Sequence, residues 1–191
     1  MNQGFAAAKS HEWVLFWGSD DWAATPAVLA KVFFSLKMSS SRGLLPDLIV
    51  CRGRYVDQAS ASLKRPTVFR STGCLTSAAY RRALFLGSTP PHQGAFFGPG
   101  VRRRLDRYSD SFLLSADLDY FLQLSRYPDL CIECLNVELV HMFSGGISGV
   151  QTQRRLAEVR RAYRRVFGWS WWFPFLMRYL LRLVSLLPSW N

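Results

Sequence analysis

Trp13-Val14-Leu15-Phe16-Trp17-Gly18-Ser19-Asp20-Asp21 decides the reading of this chain. Five apolar residues run unbroken into a glycine, a serine and two adjacent carboxylates. Such a run predicts a strand buried on both faces, as in a parallel or mixed sheet with helices on either side. In open sheets of this kind ligands lie beyond the carboxyl ends of the strands. Asp20 and Asp21 therefore stand where a hard divalent cation, Mg²⁺ or Mn²⁺, meets a phosphate-bearing substrate. On the local pattern alone the pair reads first as a helix cap, and the metal role is the second reading.

Outward from this run the chain alternates strands and helices. The residues before it, to about Lys9, resemble the tail of a helix. After it, Thr25 as cap and Pro26 at the first helical position predict a helix to about Lys37. Asp47–Cys51 reads as a strand that Arg54-Tyr55-Val56 continues after a turn, and residues 57–72 give no clear assignment. A helix is expected from Thr76 to Leu86, where Pro90-Pro91 forbids its continuation. His92–Phe97 reads as a loop entering a strand, and Gly98-Pro99-Gly100 opens a short basic helix. Further expectations are a helix over Ala116–Ser125, short strands at Cys131–Leu135 and Val137–Phe143, a Gly145-Gly146 turn, and a basic helix from Gln151 to Phe167.

Asp117 and Asp119 sit in the first turn of the Ala116–Ser125 helix, where free N–H groups favour carboxylates. Capping is one reading. The other is a general base that takes a proton from a hydroxyl nucleophile. His92, in a loop, reads as a surface or substrate-contacting residue, whereas His141 lies in a strand pattern and reads as structural.

With 191 residues, 49% of them hydrophobic and 19% charged, the chain can build a real core. The net charge of +11 comes largely from arginine, at Arg102-Arg103-Arg104 and between Arg154 and Arg165. That surplus favours anionic partners: a diphosphate-carrying substrate, acidic lipid or nucleic acid. The four cysteines make neither a zinc site nor a disulfide framework, and Cys131-Ile132-Glu133-Cys134 reads as ordinary thiols in a strand. Ordinary thiols favour a cytoplasmic location, peripheral to the membrane, and the start of the chain does not read as a secretory leader.

Residues 169–190 are apolar and rich in tryptophan, but Arg178 and Arg182 interrupt them. A membrane span needs about 20 consecutive apolar residues. Pro174 and Pro188 confine the helix here to about 13 residues, short of a span. The arginines, four apart, share one face. This predicts a helix lying in a membrane surface rather than crossing it.

Taken in order, these segments resemble the family 2 glycosyltransferases of the GT-A fold, in particular the subgroup acting on colanic-acid and exopolysaccharide precursors. His11–Asp21 is similar to the segment ending in the family's Asp-x-Asp motif, with Gly18 where aspartate is usual. His92-Gln93-Gly94-Ala95 resembles the subgroup's His-Gln-Ala stretch near the acceptor. Phe112–Tyr120 resembles the block holding the catalytic base, with Ala116 in place of the usual glutamate. Gly145-Gly146-Ile147-Ser148 matches a Gly-Gly-x-Ser turn.

The resemblance implies an α/β fold: an incomplete GT-A-like mixed sheet over residues 1–167, followed by a membrane-interfacial segment, 168–191. It implies inverting transfer of a sugar from a nucleotide-sugar donor to a hydroxyl of a glycan or lipid-linked acceptor. Asp117 would be the base, Asp20 and Asp21 would hold Mg²⁺ or Mn²⁺, and Asp20, Asp21, His92 and Gln93 would contact the donor. Relatives carry strand–helix–strand units ahead of this segment, so weak or no transfer is expected from this chain by itself. The competing reading is a non-catalytic basic module that binds membrane or nucleic acid. The basic helix lacks the interleaved aromatic residues of a nucleic-acid stacking platform, which disfavours the latter partner.

Overall fold

The computed structural model describes residues 1–41, 45–57, 60, 62–69, 71–143 and 152–185, with the side chains of 39–41 outside the description. The Gly145-Gly146-Ile147-Ser148 turn and Pro188 lie outside the described residues. In chain order the elements begin with α1 (Asn2–Ala7), β1 (Val14–Leu15), β2 (Trp22–Ala23), α2 (Val28–Ser41) and β3 (Leu48–Val56). Next come β4 (Leu63–Pro66), β5 (Gly73–Leu75), α3 (Ser77–Phe85), β6 (Ala95–Phe97), α4 (Pro99–Arg104) and α5 (Ala116–Leu124). The last three are β7 (Ile132–Phe143), α6 (Thr152–Phe167) and α7 (Trp172–Val184).

The sheet runs β1-β6-β3-β7-β2, with β4 added to β3 and β5 to β7. β3 and β7 pair in parallel and every other pairing is antiparallel, so the sheet is mixed. β3 changes neighbour along its length. Leu48–Val50 bond β6, whereas Arg54 and Val56 pair with β4. Between these halves the β3–β7 register slips near Arg52 and Gly53, a bulge that bends the strand and curls the sheet.

β3 and β6 feed two cores by simple alternation, and β7 serves one core with its first half and the other with its second. On one face Leu48, Val50, Ala95, Phe97 and Ile132 meet α1, α3, α5 and α6 through Phe5, Tyr80, Leu84, Phe121 and Tyr163. On the other, Ile49, Cys51, Leu139, Val140 and Met142 meet Val28 and Val32 of α2. Helices on both faces of a mixed sheet are what the opening run predicts, and the fold class is α/β.

Several details differ from the sequence expectation. The Trp13–Trp17 run packs on both faces, Val14 and Phe16 against one core and Trp13, Leu15 and Trp17 against the other. It is nevertheless half-buried, because only Val14–Leu15 pair, and only with β6 among the described residues. The expected strand–turn–strand at 47–56 is one bulged strand, and the two expected strands at 131–143 are likewise one. The unassigned stretch 57–72 contains β4, the return arm of a hairpin with β3.

The helix expected at Pro26 begins at Val28, after a turn closed by Val28 N–H donating to the Thr25 carbonyl. Thr76 caps α3 with its side-chain oxygen, which accepts from Ala79 N–H. α7 spans 13 residues. Pro174 sits inside its first turn, where a missing amide proton costs no helical bond.

Two of the three arginines at 102–104 are engaged within the fold, and Arg103 is exposed. Arg102 donates to the carbonyls of Ala8, Lys9 and Glu12, fastening the segment between α1 and β1. Arg104 pairs with Asp47 and Asp129.

Candidate functional site

Asp20, Asp21, His92, Gln93 and Asp117 line one cleft of about 1010 Å³. Its walls come from the β1–β2 turn, the β3–β4 hairpin, the loop after α3, the start of α5, and the inner faces of α6 and α7. Three segments far apart in sequence thus place carboxylates, an imidazole and an amide around a common space.

The β1–β2 turn is tight. Asp21 accepts the Gly18 N–H at 2.6 Å, and its own N–H donates to the Gly18 carbonyl. A Cβ at position 18 would stand 2.9 Å from an Asp20 carboxylate oxygen and 3.0 Å from one of Asp21. Glycine at this position therefore gives both carboxylates room to fold over the turn. Burial holds the Asp21 carboxyl above its usual range; the Gly18 N–H opposes this, and the neighbouring Asp20 charge adds to it. A cation placed there would relieve that repulsion.

Among the described residues no three His, Cys, Asp or Glu side chains are grouped as metal ligands. Two oxygen donors on one turn fit a Mg²⁺- or Mn²⁺-type ion whose remaining positions are filled by water and phosphate. They do not fit an all-protein cage.

His92, expected at the surface or in contact with substrate, is not on the open surface but lines the cleft. Its ring is half-buried in an aromatic cluster, 5.5 Å from Phe16 and 5.6 Å from Phe97, and shares a 2.8 Å hydrogen bond with the Tyr108 hydroxyl. Burial lowers its pKa, with the Asp117 charge opposing and the chain's amino terminus assisting the shift. The neutral imidazole is thereby favoured. Next to it, the Gln93 carbonyl accepts from Trp17 Nε1 at 3.0 Å, coupling the loop to the end of β1.

The two α5 aspartates separate. Asp117 is half-buried and faces the cleft, whereas Asp119 is only 2% exposed and pairs with Arg165 of α6 at 3.1 Å. The turn that delivers Asp117 is held by a residue the sequence reading did not single out. Glu158 of α6, 6% exposed, accepts the backbone N–H groups of Leu113, Leu114 and Ser115 at 3.2, 2.8 and 3.0 Å. It is the one acidic residue of α6, and that isolation among arginines was its available signal. His141 accords with a structural role, bonding Glu138, which in turn pairs with Arg54 across β3 and β7.

The outer side of α7 is apolar. Trp172, Leu176, Leu180 and Leu183 are exposed, as is Trp169 just before them at 85%. Arg178 and Arg182 point the other way, into the cleft. Among the described residues no helix is long and apolar enough to cross a membrane.

No family model and no curated protein matches this sequence. Among solved structures, the chain resembles that of S. aureus TarS residues 1–349 in complex with UDP-GlcNAc, with a TM-score of 0.57 at 13% identity. The match covers 87% of this chain and 46% of that one, so the chain spans about half the length of this neighbour. At that identity the likeness establishes architecture: a curled, open mixed sheet flanked by helices, a partial GT-A-like fold.

Proposed function

We propose that this chain is part of a glycosyltransferase that takes a nucleotide sugar as donor and transfers its sugar, with inversion, to a hydroxyl of a glycan or lipid-linked acceptor. The observation that carries the reading is the convergence of Asp20, Asp21 and Asp117 on one cleft. It is supported by the fold's likeness to a protein solved with the nucleotide sugar UDP-GlcNAc. Family 2 membership belongs to the same proposal and rests on the sequence resemblance.

The chemistry follows from the positions. Asp117, at the mouth of a helix and open to the cleft, accepts the proton of the acceptor hydroxyl as that oxygen attacks the anomeric carbon. Glu158 fixes the backbone that presents it. Asp20 and Asp21 would hold the divalent cation, which would supply positive charge opposite a nucleoside diphosphate leaving group. His92 and Gln93 line the same cleft. A neutral His92 donates or accepts one hydrogen bond without adding charge.

The outer face of α7 extends the proposal to location. Tryptophan and leucine on one exposed stripe, with Arg160 over the Trp171 ring at 4.8 Å, fit the headgroup level of an anionic bilayer. Segment 168–191 is then a peripheral membrane contact that leaves the cleft open to the donor.

Saturation-transfer NMR with a panel of uridine, guanosine and thymidine diphosphate sugars in Mg²⁺ tests the donor reading down to weak affinities. Signals from both base and sugar protons are expected for one class, lost in Asp20→Asn/Asp21→Asn and kept in Asp117→Asn. Silence across the whole panel overturns the proposal. Loss of donor binding in Asp117→Asn removes that residue from the base role.

A further inference from the structure

The cations of the cleft fall into two groups. On the β3–β4 hairpin Arg54 pairs with Glu138 and Lys64 with Asp57, while Arg65 lies over the Tyr55 ring at 5.5 Å without an ion pair among the described residues. Arg155 of α6 and Arg178 and Arg182 of α7 line the same cleft, and among the described residues none of these three forms an ion pair.

Their surroundings make this costly. The Nε atoms of Arg155 and Arg178 are buried without a hydrogen-bond partner among the described residues. Arg178 Nη1 donates to Thr89 Oγ1 at 2.5 Å, which aims the guanidinium, and Arg182 lies 5.9 Å from the Tyr179 ring. The Arg178 charge, followed by burial, lowers the Arg182 pKa to about 10, with Tyr55 and Tyr179 opposing. Three like charges gathered from two helices, with buried donors unused, constitute a site built for an anion. Planar guanidinium forks match phosphate oxygens in pairs.

We propose that Arg155, Arg178 and Arg182 form a phosphate-binding subsite on the helical wall of the cleft, which holds the phosphate or diphosphate of the second substrate. Assigning that phosphate to the acceptor rests on the glycosyltransferase reading; the subsite itself does not. The placement suits a lipid-linked acceptor, because the helix that points Arg178 and Arg182 inward carries the exposed Trp172, Leu176, Leu180 and Leu183 on its other side. A diphosphate held by these arginines leaves its lipid tail beside that apolar ridge.

Isothermal titration of inorganic pyrophosphate in EDTA tests the subsite without a metal at Asp20 and Asp21. Binding is expected, weakened at least about tenfold in Arg178→Gln/Arg182→Gln, as for loss of two charge-assisted contacts, and equal or tighter in Asp20→Asn/Asp21→Asn, which removes negative charge from the same cleft. Arg178→Lys/Arg182→Lys, which keeps the charge and the fold but not the fork, is expected to bind at an intermediate level. Absent binding, binding that requires Mg²⁺, or binding lost in the aspartate variant overturns the subsite. Farnesyl diphosphate binding more tightly than pyrophosphate supports a lipid source; equal affinity overturns the lipid assignment. If the arginine variants lose pyrophosphate while no nucleotide sugar binds the native chain, the subsite stands and the glycosyltransferase reading falls.

Discussion

Replacing Glu158 by glutamine removes one negative charge from a carboxylate that three consecutive backbone N–H groups share. All three bonds go to Oε2, and the Leu113 N–H is shared with Oε1, so an amide oxygen at the Oε2 site keeps them at reduced strength while the NH₂ group at the Oε1 site is set against the Leu113 donor. A hydrogen bond to a charged group contributes about 1.5–3 kcal/mol, and a buried donor left unsatisfied costs about 1–3 kcal/mol. Because the side chain is 7% exposed, water does not substitute for the lost acceptor. The expected destabilisation is about 2–4 kcal/mol, or roughly 5–15 °C in Tm for a chain of this length.

The control is Arg154→Gln. That partner lies 3.6 Å from Glu158 and is 55% exposed, so its loss should change stability by less than about 1 kcal/mol. Thermal unfolding followed by circular dichroism compares the two. A Glu158→Gln shift below about 2 °C, or one no larger than that of Arg154→Gln, refutes the claim that Glu158 holds the turn before Asp117.

Three further outcomes are expected. Gly87→Ala strains a backbone at φ +82° and places a Cβ 2.3 Å from Arg178 N, so α7 must move; chemical-shift changes at Arg178 and Arg182 with lowered Tm check it, and an unperturbed α7 refutes it. His92, with its pKa lowered by burial, is neutral in the folded chain over a window in which the unfolded chain is protonated. Stability should therefore fall as pH drops below about 6.5 through that window, and His92→Phe should flatten this part of the pH–Tm profile. Flotation with phosphatidylglycerol vesicles should recover the native chain but much less of Leu176→Glu/Leu180→Glu, and phosphatidylcholine vesicles should recover little of either; equal recovery throughout refutes the membrane contact.

What the sequence determined by itself is the local and the periodic. Alternating faces in Trp13–Trp17, the Thr76 cap, the two prolines after α3 and the spacing of Arg178 and Arg182 are read from a few neighbouring residues, because side-chain direction follows backbone period. The same logic placed carboxylates at a strand end and at a helix start. It did not reveal that Trp13–Trp17 borders an edge, that residues 63–66 return as a hairpin arm, or that the bulge near Gly53 merges two expected strands into one.

Those features depend on which strand lies beside which, and pairing partners are chosen by the whole sheet. Tertiary structure likewise decided the fate of the charges. Arg102 and Arg104 read as surface cations until the carbonyls of Ala8, Lys9 and Glu12 and the carboxylates of Asp47 and Asp129 are brought to them, whereas Arg155, Arg178 and Arg182 line the cleft without an ion pair among the described residues. Glu158 reads as one more helix residue until α5 is laid against it. A charge acquires its role from what surrounds it at a few ångströms, and that neighbourhood is assembled only by folding.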